Sequence, residues 1–283
     1  MLRAQAAATE GSSFGVNSAG SGTPLPFVVR RGVRIHYEVE GEGPPVVNIP
    51  GLGGNTESWS LMGNGGAFPH HRLVLVDPRG HGKSGKPKDR MAHRIEEYRD
   101  DVLAVLDAEH SAKTVVWGIS DGSKIGFALA DAYPDRVSAL IDHDGVEGGD
   151  LCDAPERERR ISAARLVRAK SETLLRELSA AEGYSIPTPL FNQFLSEDSE
   201  MVALELEEWT HWKGPTSVLP RLKPPLLMLL NGKREQSEIS RLRRLAGEQA
   251  ETHVLPDAGH MKICMEPYLT RSLIRGFLSR VQP

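Results

Sequence analysis

The sequence predicts an α/β protein, a mostly parallel sheet with helices on both faces and a helical segment inserted before its last strands. Two observations carry this expectation. Short apolar runs of strand length alternate with stretches whose apolar residues recur at helical spacing. One long gap late in the chain is charged and helical in pattern. Such alternation needs crossover connections, and crossovers produce parallel strands.

The elements follow in order. Phe27–Arg31 and Arg34–Val39 alternate apolar and polar residues, with Arg31-Gly32 suited to a hairpin turn, so they are expected at an antiparallel edge. Val46–Ile49 and Leu73–Val76 are short apolar runs bounded by Pro, Gly or Asp, as buried strands are. Ile95, Tyr98, Val102 and Leu106 share one helix face. Thr114–Ile119 is the next strand, backed by a helix marked by Ile125, Leu129 and Tyr133, and Ser138–His143 follows. After a gap of about eighty residues come Leu226–Leu230 and His253–Leu255. Leu269, Leu273, Ile274, Phe277 and Val281 close the chain as an amphipathic helix. Within the gap, Glu156–Leu178 is long and charged, whereas Phe191–Phe194 and Met201–Trp212 hold the large apolar side chains. A lid over the strand ends is expected there. The expected organisation is a core of residues 26–144 and 223–283, with a helical cap at 145–222.

Composition excludes several function classes. Of 283 residues, 34 are Lys or Arg and 38 Asp or Glu, so a formal net charge of −4 offers no basic field for nucleic acid or anionic lipid. No apolar run reaches the length of a membrane span. Cys152 and Cys264 cannot form a disulfide framework, and a reducing, cytoplasmic setting is expected. Residues 1–25 are rich in Ala, Gly and Ser without periodicity, and read as a disordered extension. Oligomeric state is not legible.

Gly118-Ile119-Ser120-Asp121-Gly122 matches G-x-S-x-G, entered from an apolar strand and left through a helix. So tight a turn strains the serine backbone and pushes its hydroxyl out of the sheet, and a Cβ at either glycine is expected to strike neighbouring backbone. His260 lies between the last strand and the last helix, where a loop returns to the same sheet edge. The Pro50-Gly51-Leu52-Gly53-Gly54 loop follows the third strand. Its Leu52 N–H, with that of Asp121, is the expected oxyanion donor pair. Asp121 is unusual there, because a carboxylate beside the oxyanion opposes its charge; either it points away, towards Lys124, or it affects substrate choice. It is not itself the nucleophile, since Ile119 stands where that register needs glycine.

The glycine loop, Asp77-Pro78-Arg79-Gly80-His81-Gly82-Lys83-Ser84, the serine elbow, a helical insertion and a late Gly-His together resemble the α/β-hydrolase superfamily from about Phe27 onward. The resemblance implies an eight-stranded α/β-hydrolase core with a cap and a Ser–acid–His triad. Gly82-Lys83-Ser84 imitates the end of a phosphate-binding loop, but Asp77 stands where that loop needs its first glycine, so phosphate binding is rejected. Two carboxylates compete for the acid. Glu235 follows the Leu226–Leu230 strand at the usual superfamily position and is preferred. Asp144 follows Ser138–His143, as in haloalkane dehalogenases and zearalenone-type lactonases. The latter are also similar in Trp117-Gly118-x-Ser120-x-Gly122, Tyr133-Pro134-Asp135-Arg136 and His143.

The expected function is therefore a serine hydrolase of a small carboxylic ester or lactone, acting through an acyl-enzyme without metal or cofactor. Gly51, Trp209 and Trp212 are expected to contact substrate, with Phe191, Phe194 and Met201 as further lining, although aromatics in helices serve more often as core. His70-His71 lacks companion metal ligands, and Cys264 is expected to pack. Rival readings are a carbon–carbon bond hydrolase, a cofactor-free perhydrolase and a non-catalytic small-ligand receptor on the same fold.

Overall fold

A computed structural model describes residues 26–64, 67–146, 150–169, 176–177, 180–181 and 183–282. The expected N-terminal extension lies outside the described residues. The strands are β1 (Phe27–Arg30), β2 (Val33–Glu40), β3 (Pro45–Ile49), β4 (Arg72–Val76), β5 (Thr114–Ile119), β6 (Val137–His143), β7 (Leu226–Asn231) and β8 (Ala250–Leu255). They form one 8-stranded sheet in the order β1-β2-β4-β3-β5-β6-β7-β8. β1 and β2 make the expected antiparallel hairpin, and β2 also runs antiparallel to β4. All other neighbours are parallel.

Strand periodicity sorts the apolar residues into two layers. Val47, Val116, Leu140 and Met228 join a core on one face with Phe127 and Leu129. Their chain neighbours Val46, Val115, Ile141 and Leu229 join a second core with Trp59, Ile274 and Phe277. Both faces are covered, so the central strands read as continuous apolar runs rather than alternating ones. Each such fully buried aliphatic side chain contributes about 1.5–3 kcal/mol.

The helices that cover the sheet are α1 (Thr56–Leu61), α2 (Ile95–Ala108) and α3 (Asp121–Ala132) before β6. Between β6 and β7 run α4 (Ala154–Arg168), α5 (Thr188–Ser196), α6 (Ser199–Glu208) and the short α7 (Pro215–Val218). Then follow α8 (Gln236–Ala246), α9 (His260–Met265) and α10 (Arg271–Val281). α4 and α6 pack together through Ala164, Val167, Val202, Ala203 and Leu206, a small core separate from the two sheet layers. The helix expected to continue to Leu178 is described as far as Arg168, and part of its remainder lies outside the described residues. Among the described residues no helix is long and apolar enough to cross a membrane.

The Asp77–Ser84 turn is a hydrogen-bonded brace. Asp77 accepts from Thr56 N at 2.6 Å, Lys83 N at 2.8 Å and His36 Nδ1 at 2.9 Å, while Ser84 Oγ donates to the Asp77 carbonyl at 2.7 Å. Its amides are thus aimed at a carboxylate of the chain itself. That is the physical ground on which phosphate binding fails here.

Candidate active site

The ends of β5, β6 and β8 bring three side chains to one edge of the sheet. Ser120 stands between β5 and α3 with φ 50 and ψ −121, a backbone conformation that few non-glycine residues adopt. Its N–H donates to the His143 carbonyl at 2.9 Å, tying the elbow to the end of β6. The flanking glycines are sterically required. A Cβ at Gly118 would lie 2.3 Å from Ser123 Cα, and one at Gly122 would lie 2.2 Å from the Ile49 carbonyl oxygen. This is the collision the motif predicts.

His260 begins α9 and approaches from the other direction. Ser120 Oγ lies 3.0 Å from His260 Nε2, and His260 Nδ1 lies 2.7 Å from Asp144 Oδ2. An ionised Asp144 can only accept, so Nδ1 carries the proton and Nε2 is left to accept from the serine hydroxyl. Burial pushes the Asp144 carboxyl up, but His260, Arg234 and Asn231 outweigh it and bring its pKa down to about 2. Burial likewise disfavours the His260 imidazolium, and the hydrogen-bonded Asp144 carboxylate beside it favours it.

The structure brings Asp144 to His260, and not the preferred candidate Glu235. Asp144 follows β6 directly, with a left-handed φ of 59 that turns its carboxylate into the site. Asn231 N at 3.0 Å, Asn231 Nδ2 at 2.8 Å and Arg234 Nη2 at 3.0 Å also donate to it. The β7 loop therefore supplies donors that hold the acid. Glu235 follows Arg234 as the N-cap of α8, exposed at the rim of the cavity, and makes no hydrogen bond to His260 among the described residues.

Gly51 packs against the serine, and a Cβ built on it would lie 3.0 Å from Ser120 Cβ. Gly54 N donates to the Gly51 carbonyl at 2.8 Å, closing a turn that needs the positive φ of 68 found at Gly53. The amides of Leu52 and Asp121 have no hydrogen-bond acceptor among the described residues, and both residues line the cavity over Ser120. Two unsatisfied donors beside a hydroxyl form an anion-accepting corner.

The Asp121 side chain is engaged by Lys124, one of the two outcomes expected for it. Lys124 Nζ and Arg160 meet its carboxylate, with Arg160 Nη2 at 3.2 Å. Burial alone would raise its pKa, but Arg160 and Lys124 hold it well below the usual carboxylate range. Its charge is thereby countered where an oxyanion would form. Arg160, from α4, is not legible in the sequence: it is one of several charged residues in that helix, and nothing in the spacing marks it.

A cavity of about 580 Å³ opens over Ser120, lined by Leu52, Val146, Leu190, Phe194, Leu206 and Met261 among others. Phe194 lines it as expected. Trp209 and Trp212 do not line the cavity, and neither do Phe191 and Met201. Trp209 is fully buried edge-on against Tyr98, 5.2 Å between ring centroids, and Trp212 packs on the same sheet-side core. The reason is packing: the ring just beyond the end of α6 is taken up by Tyr98 of α2. Cys264, one turn along α9 from His260, lies with Sγ 3.9 Å from Nδ1 and lines the cavity, so it does more than fill core.

The alpha/beta hydrolase fold family matches residues 44–214. The dihydrolipoyllysine-residue acetyltransferase component of the acetoin cleaving system of Pseudomonas putida is 26% identical over 263 residues, 84% of this chain and 65% of that protein. The chain spans 62%, 42% and 65% of the length of three curated relatives, less than two thirds of each. Among solved structures, a thermophilic esterase from Thermogutta terrifontis is similar with a TM-score of 0.76 at 24% identity, covering 92% of this chain and 98% of that one. The enol-lactonase from Burkholderia xenovorans LB400 is similar with a TM-score of 0.72 at 23% identity, covering 90% and 100%. At such identities these two likenesses bear on the fold. The family match spans more than half of the sequence, and the chain accordingly belongs to the alpha/beta hydrolase fold family.

Proposed function

We propose that this chain is a serine hydrolase that cleaves a carboxylic ester or lactone through an acyl-enzyme. The observation that carries the reading is the continuous relay from Ser120 Oγ through His260 to Asp144, at 3.0 Å and 2.7 Å. His260 Nε2 takes the hydroxyl proton as Ser120 Oγ attacks the substrate carbonyl. The N–H groups of Leu52 and Asp121 hold the resulting oxyanion, and Asp144 stabilises the imidazolium. Collapse of the intermediate breaks the acyl–oxygen bond, and His260 gives its proton to the leaving alkoxide. A water then attacks the acyl-enzyme with His260 again as base, releasing the acid and restoring Ser120. A lactone yields one hydroxy acid by the same steps. None of these steps calls on a metal or cofactor.

Supporting this reading are the cavity of about 580 Å³ over the serine and the fold shared with a solved esterase and an enol-lactonase. The helices between β6 and β7 then act as the cap that shapes the acyl pocket. The test is covalent and kinetic. A fluorophosphonate is expected to label Ser120, and Ser120→Ala is expected to lose labelling together with p-nitrophenyl ester turnover, by a factor on the order of 10⁶. Retained turnover in Ser120→Ala would overturn the proposal, and an unlabelled, inactive parent protein would favour a ligand receptor instead.

A further inference from the structure

The loop that carries Leu52 is held from outside the sheet, and the holding groups come from a single helix. Gln193 of α5 donates from Nε2 to the Gly53 carbonyl at 3.0 Å and to Glu197 Oε1 at 3.1 Å. Both partners are pure acceptors, so both amide hydrogens are committed and the amide orientation is determined. Glu197, which caps the C-terminal end of the same helix, accepts from Asn55 Nδ2 at 2.8 Å and from Gly82 N at 3.0 Å. Asn55 is itself the N-cap of α1, directly after the glycine loop. Gln193 and Glu197 are both buried, at 8% exposure each. The Phe194 ring lies over Gly53 so closely that a Cβ there would fall 2.4 Å from Cδ2. The Leu52 side chain packs on the small core formed by α4 and α6.

Among the described residues Gln193 and Glu197 make no hydrogen bond to Ser120, His260 or Asp144, although Gln193 shares the lining of the cavity with them. What it does fix is the loop from Gly51 to Asn55. That turn is glycine-rich, and glycine-rich backbone samples several conformations unless it is pinned. With the Gly51 carbonyl engaged by Gly54 N, the Leu52 N–H is left outside the turn, on the opposite side of the same peptide plane.

We propose that Gln193 and Glu197 form a strap by which α5 holds the Gly51–Asn55 loop in its donor-presenting shape, so that the oxyanion corner is complete only while this helix is seated. Gln193 is a positioning residue: it acts on the oxyanion through the loop. Opening of α5 relaxes the turn and removes the Leu52 donor, and reseating restores it. The inference rests on the proposed hydrolase reading for its catalytic consequence, and on hydrogen bonding alone for its mechanical one.

Two measurements separate these. Hydrogen–deuterium exchange in the full chain, without substrate, reads the strap directly. Gln193→Met keeps the size of the side chain and removes both donors, and is expected to speed exchange of the Gly54 amide by about tenfold or more. Kinetics on p-nitrophenyl butyrate read the consequence. Gln193→Met is expected to lower kcat by about 10²-fold, the scale of a lost oxyanion donor, with KM within about threefold and the pH profile unshifted. Gln193→Lys, which can still donate to Gly53 and Glu197, is expected to recover most of the lost kcat and serves as the second variant should Gln193→Met fold poorly. Unchanged Gly54 exchange in Gln193→Met overturns the strap. A rise in KM with kcat unchanged makes Gln193 a substrate contact and overturns it as well. Faster Gly54 exchange in Gln193→Met, with a parent chain that never turns over ester, leaves the strap standing and removes the hydrolase reading.

Discussion

The sheet and the helices between β6 and β7 solve different physical problems, and their side chains answer to different rules. At the sheet edge, each candidate catalytic group sits where a strand ends: Ser120 after β5, Asp144 after β6 and His260 beyond β8. Backbone geometry aims them, through the strained φ of Ser120 and the left-handed φ of Asp144. In the α4–α7 region, position along a helix says little about where a side chain goes. Phe194 faces the cavity, whereas Trp209, similar in chemistry and only fifteen positions on, is sealed in the sheet-side core. A strand end has one exit, but a helix has several faces, and packing chooses among them.

That contrast can be broken by experiment. The largest effect is expected at the strand ends: Asp144→Asn should lower kcat on the order of 10⁴-fold, while Glu235→Gln stays within about twofold of the parent in ester turnover. The reverse pattern would return the acid to the β7 loop. Next in size is Trp209→Ala, which removes a fully buried ring and should cost about 3–5 kcal/mol in denaturant unfolding with KM little altered. A large KM change without destabilisation would show that Trp209 belongs to the pocket after all.

A smaller effect concerns acid. The folded pKa of Asp144, about 2, lies below its ordinary value of 3.8. A depressed carboxylate stabilises the fold above its unfolded pKa and loses that contribution as pH falls through the folded one. The difference corresponds to about 2 kcal/mol, lost between roughly pH 4 and pH 2. Chemical denaturation across that window should show the loss in the parent and a flatter profile in Asp144→Asn. Smallest of all, Trp212→Ala is expected to move KM by less than about twofold, because its ring packs on the core and not on substrate.

Much of the fold is legible in the amino-acid sequence. All eight strands lie where the sequence places them, seven within a residue at each end; the central ones show because buried parallel strands need unbroken apolar sequence, whereas β8 begins three residues before the expected His253, at the less apolar Ala250-Glu251-Thr252. The serine elbow is recognisable since only two glycines allow it, and His260 since the chain must return to the same edge. The choice between Asp144 and Glu235 is not legible. Both follow a strand, and only the pairing of β6 with β7 reveals that Asn231 and Arg234 support a carboxylate delivered from next door. Arg160, Gln193 and Glu197 are hidden for a related reason, as polar residues in amphipathic helices look alike until a partner is known.

The amino-acid sequence by itself determined the layered fold, the exposed serine hydroxyl and its histidine, because those depend on local periodicity and on steric limits acting over a few residues. Tertiary structure decided which acid reaches the imidazole, which aromatic rings see the cavity and which helix pins the glycine loop. Those outcomes depend on contacts between segments far apart in the chain, 140 positions for Gln193 and Gly53 and 142 for Glu197 and Asn55, and no pattern confined to one stretch of chain encodes them.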